Sequence, residues 1–284
     1  MFGKYYRLTK PGIIRGNILV AAAAILFASD GDIDVVGLIA TLVGTSLIIA
    51  SACIYNNYLD REIDKKMART EKRALVTGEV SVRSALSLGA VLLVLGSITL
   101  AVWVNLLTLC IGLFGWIMYV TVYGYFKRKT VYGTLVGSIS GAMPPVAGYS
   151  AVTGQIDATS GLLFLMLACW QMPHFYAIAI YRIKDYRAAK IPVLPLVSGV
   201  RQAKIQILAY IAVYTAVCIA FTLLGYASWA FAVGNGIYGL AWVYIGLSNF
   251  NKLSDIKWAR KMFFVSLAGL PVLSLMLALN PYLN

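Results

Sequence analysis

The chain has a single histidine, His174, and only 11 acidic residues among its 284. It has four cysteines, Cys53, Cys110, Cys169 and Cys218, which lie one by one in apolar runs with no paired spacing. That pattern excludes a disulfide framework and a thiolate metal site, and the four read as small hydrophobes. Charge is scarce as well, at 12% of residues against 60% hydrophobic. A soluble domain with that ratio has too little polar surface to cover its core. No low-complexity segment, linker or soluble stretch interrupts the chain, so residues 1–284 read as one domain.

What fills the sequence instead is a series of apolar segments. Each is long enough to cross a hydrocarbon layer of about 30 Å as a helix. The expected spans cover residues 12–28, 35–55, 84–104, 106–126, 131–151, 161–181, 205–224, 229–249 and 262–279. The fold class is therefore an all-α polytopic membrane bundle of about nine transmembrane helices. The first span, with Lys4, Lys10 and Arg15 near its start, could pass for a signal peptide. Its length, and the spans that follow, favour a retained helix. There is no Arg/Ser-rich transit segment.

The charges test these spans independently. All 24 lysines and arginines fall on one side. They occupy the arm up to Arg15 and the loops from Arg61 to Arg83, Lys127 to Lys129, Arg182 to Lys204 and Lys252 to Lys261. The other side has only Asp30, Asp32, Asp34 and Asp157. Positive residues collect in cytoplasmic loops, which puts the N-terminus inside and the C-terminus outside. The net charge of +13 is thus a topology signal and not a sign of nucleic-acid binding. Arg15 stands inside the first span and is expected to snorkel to the inner surface. Pro144, Pro145 and Pro173 fall inside spans, where they free carbonyls and bend or break the helix.

The long inner loops carry the chemistry. Asn56, Asp60 and Asp64 are spaced i, i+4, i+8, so on a helix they share one face at the membrane surface. Three oxygen-bearing side chains so arranged suit a hard divalent cation such as magnesium, which shares substrate phosphate oxygens. The competing reading is a solvated helix end whose acids pair with Arg61 and Lys65. Tyr123 stands one turn from Lys127 and Arg128. Carboxylates with magnesium, ringed by cations, are what a diphosphate leaving group requires.

At this point the chain resembles the UbiA-type intramembrane prenyltransferases, and within them the branch whose acceptor is heme. The residues that carry the resemblance begin with Thr9-Lys10-Pro11 through Asn17. They continue with Asn56-x-x-x-Asp60-Arg61-x-x-Asp64 with Met67, Arg69, Thr70 and Arg73, and Tyr123-x-x-x-Lys127-Arg128. Thr130-Val131-Tyr132 leads to the stretch from Gly137 to Pro145. Trp170-Gln171-Met172-Pro173-His174-Phe175, Arg182-x-x-Asp185-Tyr186 and Ile191-Pro192-Val193-Leu194-Pro195 complete it. The match covers nearly everything up to about residue 200. The first aspartate motif is shared across the superfamily; the Trp170 and Ile191 runs are specific to the heme branch. The wider superfamily has a second D-x-x-x-D, but Tyr181 occupies its first position here and only Asp185 remains, which narrows the acceptor and implies fewer carboxylates at the metal.

The resemblance implies a helix bundle around a cavity open to lipid and to the cytoplasmic face of the cell (inner) membrane. It implies magnesium held by Asp60, Asp64 and Asp185 with Asn56 assisting, and diphosphate charge taken by Lys127, Arg128, Arg69 and Lys184. Tyr123 would stabilise a farnesyl cation. Asp60, Asp64, Asp185, Lys127 and Tyr123 form the implied catalytic set. The implied reaction moves the farnesyl group of farnesyl diphosphate to the vinyl group of heme b. The implied partners are these two substrates, the lipid bilayer, and a downstream heme A synthase or terminal oxidase assembly, with no nucleic acid.

His174 sits within a span, where an ionisable group is a functional candidate. It either serves the porphyrin or is a neutral histidine bonded to a carbonyl freed by Pro173. With Asp185 eleven residues on, a continuous helix would set His174 about 16 Å deeper. Three rival functions are a prenyltransferase with another aromatic or quinone-precursor acceptor, a transporter, and a heme-holding electron carrier. The Trp170–His174 run disfavours the first. The clustering of acids at one membrane face disfavours the second. The single histidine disfavours the third, because a stable b-type heme usually takes two strong axial ligands.

Overall fold

The computed structural model describes residues 2–283, and among them there is no strand. Asn284, expected outside, lies beyond the described residues. The helices are α1 (Phe2–Leu8), α2 (Pro11–Ala28), α3 (Val35–Asp64), α4 (Ala74–Thr77) and α5 (Val82–Trp103). Next come α6 (Leu106–Ile117), a π-helical turn (Met118–Tyr123), α7 (Gly124–Lys129), α8 (Gly133–Gly141), α9 (Met143–Thr153) and α10 (Ala158–Tyr181). The chain closes with α11 (Ile183–Ala188), α12 (Leu194–Val197), α13 (Val200–Leu223), α14 (Trp229–Ser248) and α15 (Asp255–Leu279).

Eight of these helical stretches are long and apolar enough to cross a membrane. The chain is a multi-pass membrane protein. The segment expected as the fifth span is two shorter helices, α8 and α9, joined at Ala142 (φ −96°, ψ 0°). Pro144 and Pro145 fall in the first turn of α9, where a missing N–H costs no hydrogen bond. Pro173 does not break its helix. α10 runs through it without interruption, as α15 runs through Pro271.

The boundary between α5 and α6 has its own chemistry. Val104 leaves helical geometry, and Asn105 caps α6 by accepting from the Thr108 N–H at 2.8 Å. Its amide also donates to the carbonyls of Ser150 and Ala151 at 3.1 and 3.3 Å, fixing α6 to the end of α9.

Close packing follows from small residues where helices cross. α3 lies against α5 at Gly44 and Gly96, where a methyl group on Gly96 would stand 2.8 Å from the Gly44 carbonyl oxygen. α2 meets α9 at Gly148, which lies against the Ala21 backbone. The largest core brings together Trp242, Trp258, Tyr214, Phe221 and Phe231 from α13, α14 and α15. In the other half, α2, α3, α6–α10 and α15 enclose a cavity of about 630 Å³. The C-terminal helices thus form a solid buttress, and the chemistry-bearing residues face the void beside it.

Candidate active site

α3 runs two turns past its expected end at residue 55, so Asn56, Asp60 and Asp64 do share a helix and all three line the cavity. They are not a wet helix end: all three are buried. Buried carboxylates require partners. Asp60 is held by the Lys127 ammonium at 2.5 Å and the Arg128 guanidinium at 3.1 Å. Asp64 is held by Arg73 at 2.6 Å. The competing pairing with Arg61 and Lys65 does not occur; both of those cations pair with Glu62 instead.

Arg73 reaches Asp64 because the loop folds back beneath α3. Met67 and Thr70 are buried there, and the Thr70 hydroxyl donates to the Asp64 carbonyl at 3.0 Å. Lys10 arrives from the other side. It sits in left-handed geometry (φ 53°) just before α2 and donates to Asn56 Oδ1 at 2.8 Å. Its exposed surface faces the cavity, and burial of the amine pushes its pKa down to about 8. The nearby cations Arg73 and Lys127 act in the same direction, against an opposing pull from Asp60.

The π-helical turn supplies the aromatic wall. Tyr119 and Tyr123 stack at 5.3 Å and 16°, and Lys127 stands over the Tyr123 ring at 5.6 Å. The Tyr123 ring lies 2.9 Å from where a Gly137 methyl would be, so only glycine admits it. The Tyr119 hydroxyl donates to Asn56 Oδ1 at 3.5 Å. Arg69 lines the cavity mouth against Tyr186, its guanidinium 3.4 Å from the hydroxyl.

Two expected residues are not brought to this site. α10 ends at Tyr181, Arg182 leaves helical geometry (φ −106°, ψ 20°), and Lys184 and Asp185 belong to the separate helix α11. Neither lines the cavity, and the depth estimate based on a continuous helix loses its basis. Among the described residues no group of three or more histidine, cysteine or acidic side chains forms a metal cluster. Asp60, Asp64 and Asn56 nevertheless offer an all-oxygen donor set, which suits magnesium because that ion takes one or two carboxylates and completes its shell with water and phosphate. The buried amide nitrogen of Asn56 has no partner among the described residues, a donor left for an incoming oxygen.

His174 lines the same cavity deeper in α10. Its Nδ1 lies 2.8 Å from the Ser266 hydroxyl of α15, not against a carbonyl freed by Pro173. Trp170 stacks on its ring at 5.2 Å and 19°. Lys10, Arg73 and Tyr119 are the residues whose contacts the spacing of the aspartates did not reveal. The first two stood among the family-resembling positions without a role. Tyr119 had only its spacing of four from Tyr123 as a signal.

A buried carboxylate–cation array and a tyrosine wall thus lie together in the apolar cavity of a membrane bundle. The UbiA prenyltransferase family model matches residues 17–268, and the chain belongs to that family. It is 46% identical over 280 residues to Protoheme IX farnesyltransferase 2 of Shewanella loihica, covering 98% of this chain and 91% of that relative. Among solved structures, it is similar to one described in work on the biosynthesis of digeranylgeranylglyceryl phosphate synthase in membranes. The TM-score there is 0.80 at 17% identity, over 99% of this chain and 98% of that one. A UbiA homolog from Archaeoglobus fulgidus bound to GPP and Mg2+ matches with a TM-score of 0.71 at 19% identity, over 96% and 99% of the two chains.

Proposed function

We propose that this chain transfers the farnesyl group of farnesyl diphosphate to a vinyl group of heme b, adding water and releasing diphosphate to give heme O. The observation that carries this reading is the joining of two sites in one cavity: the buried Asp60–Lys127–Arg128 and Asp64–Arg73 pairs, and the lone His174 on the same wall system. The near-full-length likeness to a protoheme IX farnesyltransferase supports the choice of acceptor.

The diphosphate head group binds at the inner end of α3. Asp60, Asp64 and Asn56 would hold magnesium there, an assignment supported by the ion's presence in the Archaeoglobus neighbour. When bound, the ion offsets negative charge on the departing diphosphate. Lys127, Arg73 and Lys10 supply donors for the phosphate oxygens, and the unpartnered Asn56 amide supplies another. Arg128, expected among them, does not line the cavity and acts by holding Asp60. Arg69 guards the mouth. Neutralisation matters most as the allylic C–O bond breaks and charge builds on the leaving oxygen. The allylic cation is met by the faces of Tyr119 and Tyr123. The terminal vinyl carbon of heme b bonds to that carbon, and the cation formed beside the macrocycle takes water and sheds a proton. We read the carboxylate end as cytoplasmic and the membrane as the cell (inner) membrane, because the cations all lie on that side. The test is purified protein with farnesyl diphosphate, magnesium and heme b, products resolved by mass. A farnesylated, hydrated porphyrin is expected. Prenylation of an added aromatic acid with heme b left intact overturns the acceptor.

A further inference from the structure

Ser266 is fully buried on α15, and its oxygen atoms meet two side chains of α10. Its carbonyl accepts from the Trp170 indole N–H at 3.0 Å. Its hydroxyl oxygen lies 2.8 Å from His174 Nδ1 and 2.5 Å from the Phe263 carbonyl oxygen. A hydroxyl has one hydrogen, and a carbonyl oxygen can only accept. Two oxygens facing each other at 2.5 Å with lone pairs alone would repel, so the hydroxyl hydrogen belongs to the Phe263 contact. The remaining contact then needs its hydrogen on Nδ1 of the imidazole. That leaves Nε2 with a free lone pair. Nε2 is engaged by none of the described residues and is not sealed within the packing, and His174 lines the cavity. The ring cannot swing freely, since Trp170 stacks on it and Phe263 lies 4.9 Å from its centroid.

We infer that Ser266 is a positioning residue that fixes His174 in its Nδ1–H tautomer and so directs the Nε2 lone pair at the iron of the porphyrin acceptor. The inference rests on the heme-acceptor reading and adds to it the group that orients the ligand. An acceptor on Nδ1–H also makes the imidazole a better donor to iron. The serine therefore acts on the macrocycle without touching it.

The experiment titrates hemin into the detergent-purified full chain and follows the Soret band, with binding of farnesyl diphosphate plus magnesium measured separately. In Ser266→Ala, heme affinity is expected to fall about tenfold or more with a displaced Soret maximum. Farnesyl diphosphate affinity is expected to stay at the wild-type value. Adding Ser266→Ala to His174→Ala is expected to change nothing further, because the serine works through the imidazole. An unchanged spectrum and affinity in Ser266→Ala overturns the inference. So does an equal loss with and without His174, which would make Ser266 a packing residue, and so does wild-type heme binding in His174→Ala. A wild-type chain that binds farnesyl diphosphate but no heme overturns the acceptor reading itself, and this inference with it. If Ser266→Ala fails to accumulate, Ser266→Cys carries the same measurements with a weaker hydrogen-bonding group of similar size.

Discussion

Asp64 carries two duties that conflict in any single substitution. It lines the diphosphate cavity and also neutralises Arg73 from a buried position. Asp64→Asn is expected to lower turnover at least about a hundredfold, close to 3 kcal/mol of transition-state stabilisation. A residue at a wet helix end would leave stability alone. Buried as it is, the change should also cost about 1–3 kcal/mol by weakening a charge-assisted bond. Steady-state rates and thermal unfolding of the same preparation separate the two losses. Near-normal turnover with saturating magnesium would leave Asp64 as the buried structural partner of Arg73 and nothing more. Lys10 offers a cleaner probe. Lys10→Met removes an amine that bonds Asn56 and faces the cavity, so the Kd for farnesyl diphosphate should rise about tenfold. An unchanged Kd by calorimetry would reduce Lys10 to a support for Asn56.

At the scale of elements, not every inner cation is a topology signal. Lys204 on α13 is buried, donates to the Phe250 carbonyl at 2.5 Å and to Asp255 at 3.2 Å, and lies over the rings of Phe250 and Trp258 at 4.4 and 4.9 Å. It clamps α13 to the turn that joins α14 and α15. Lys204→Met is expected to lower the unfolding temperature by a few degrees, for a loss of about 2 kcal/mol. Diphosphate affinity should not move. Its position in a positive loop made it look like any other inner lysine, since side-chain depth is invisible to charge counting. The aspartate motif was legible for the opposite reason: an i, i+4, i+8 spacing is a property of one helix. Arg73 and Lys127 reach those acids, and Lys10 reaches Asn56, across loops and between helices, and no local period encodes that. Asp185 shows the limit from the other side. The spacing suggested continuity from His174, yet the chain leaves helical geometry at Arg182.

For the whole molecule, apolar length and one-sided charge predicted nearly every membrane helix. Hydropathy sums over the break in residues 131–151 and reads them as one span; Pro144 and Pro145 are the signal that the helix breaks there. The apolar runs divide the chain at Asn105 where turn residues are few, and the capping bond of that asparagine is what makes the turn there. The orientation has a direct check. Reporter fusions are expected to place Asp32, Asp157 and Asn284 outside, and Lys66, Lys129, Lys190 and Lys257 inside. Any of those four lysines found outside would break the one-sided arrangement of cations.

The π-helical turn at Met118–Tyr123 bears on how the chain tolerates insertion and deletion. A π-turn holds one residue more than the α-helical turn it replaces. The helix that contains it is anchored at both ends, by Asn105 on Ser150 and Ala151 and by Lys127 on Asp60. Deleting one residue between 118 and 123 lets the turn relax to α-helix, and the roughly 100° carried by the lost residue is made up by the tighter winding of those that stay. Lys127 then keeps Asp60 and Asn105 keeps the end of α9, while the stacked Tyr119 and Tyr123 are what the deletion disturbs. Elsewhere in the span a one-residue deletion has no such slack and turns one anchor away from the other.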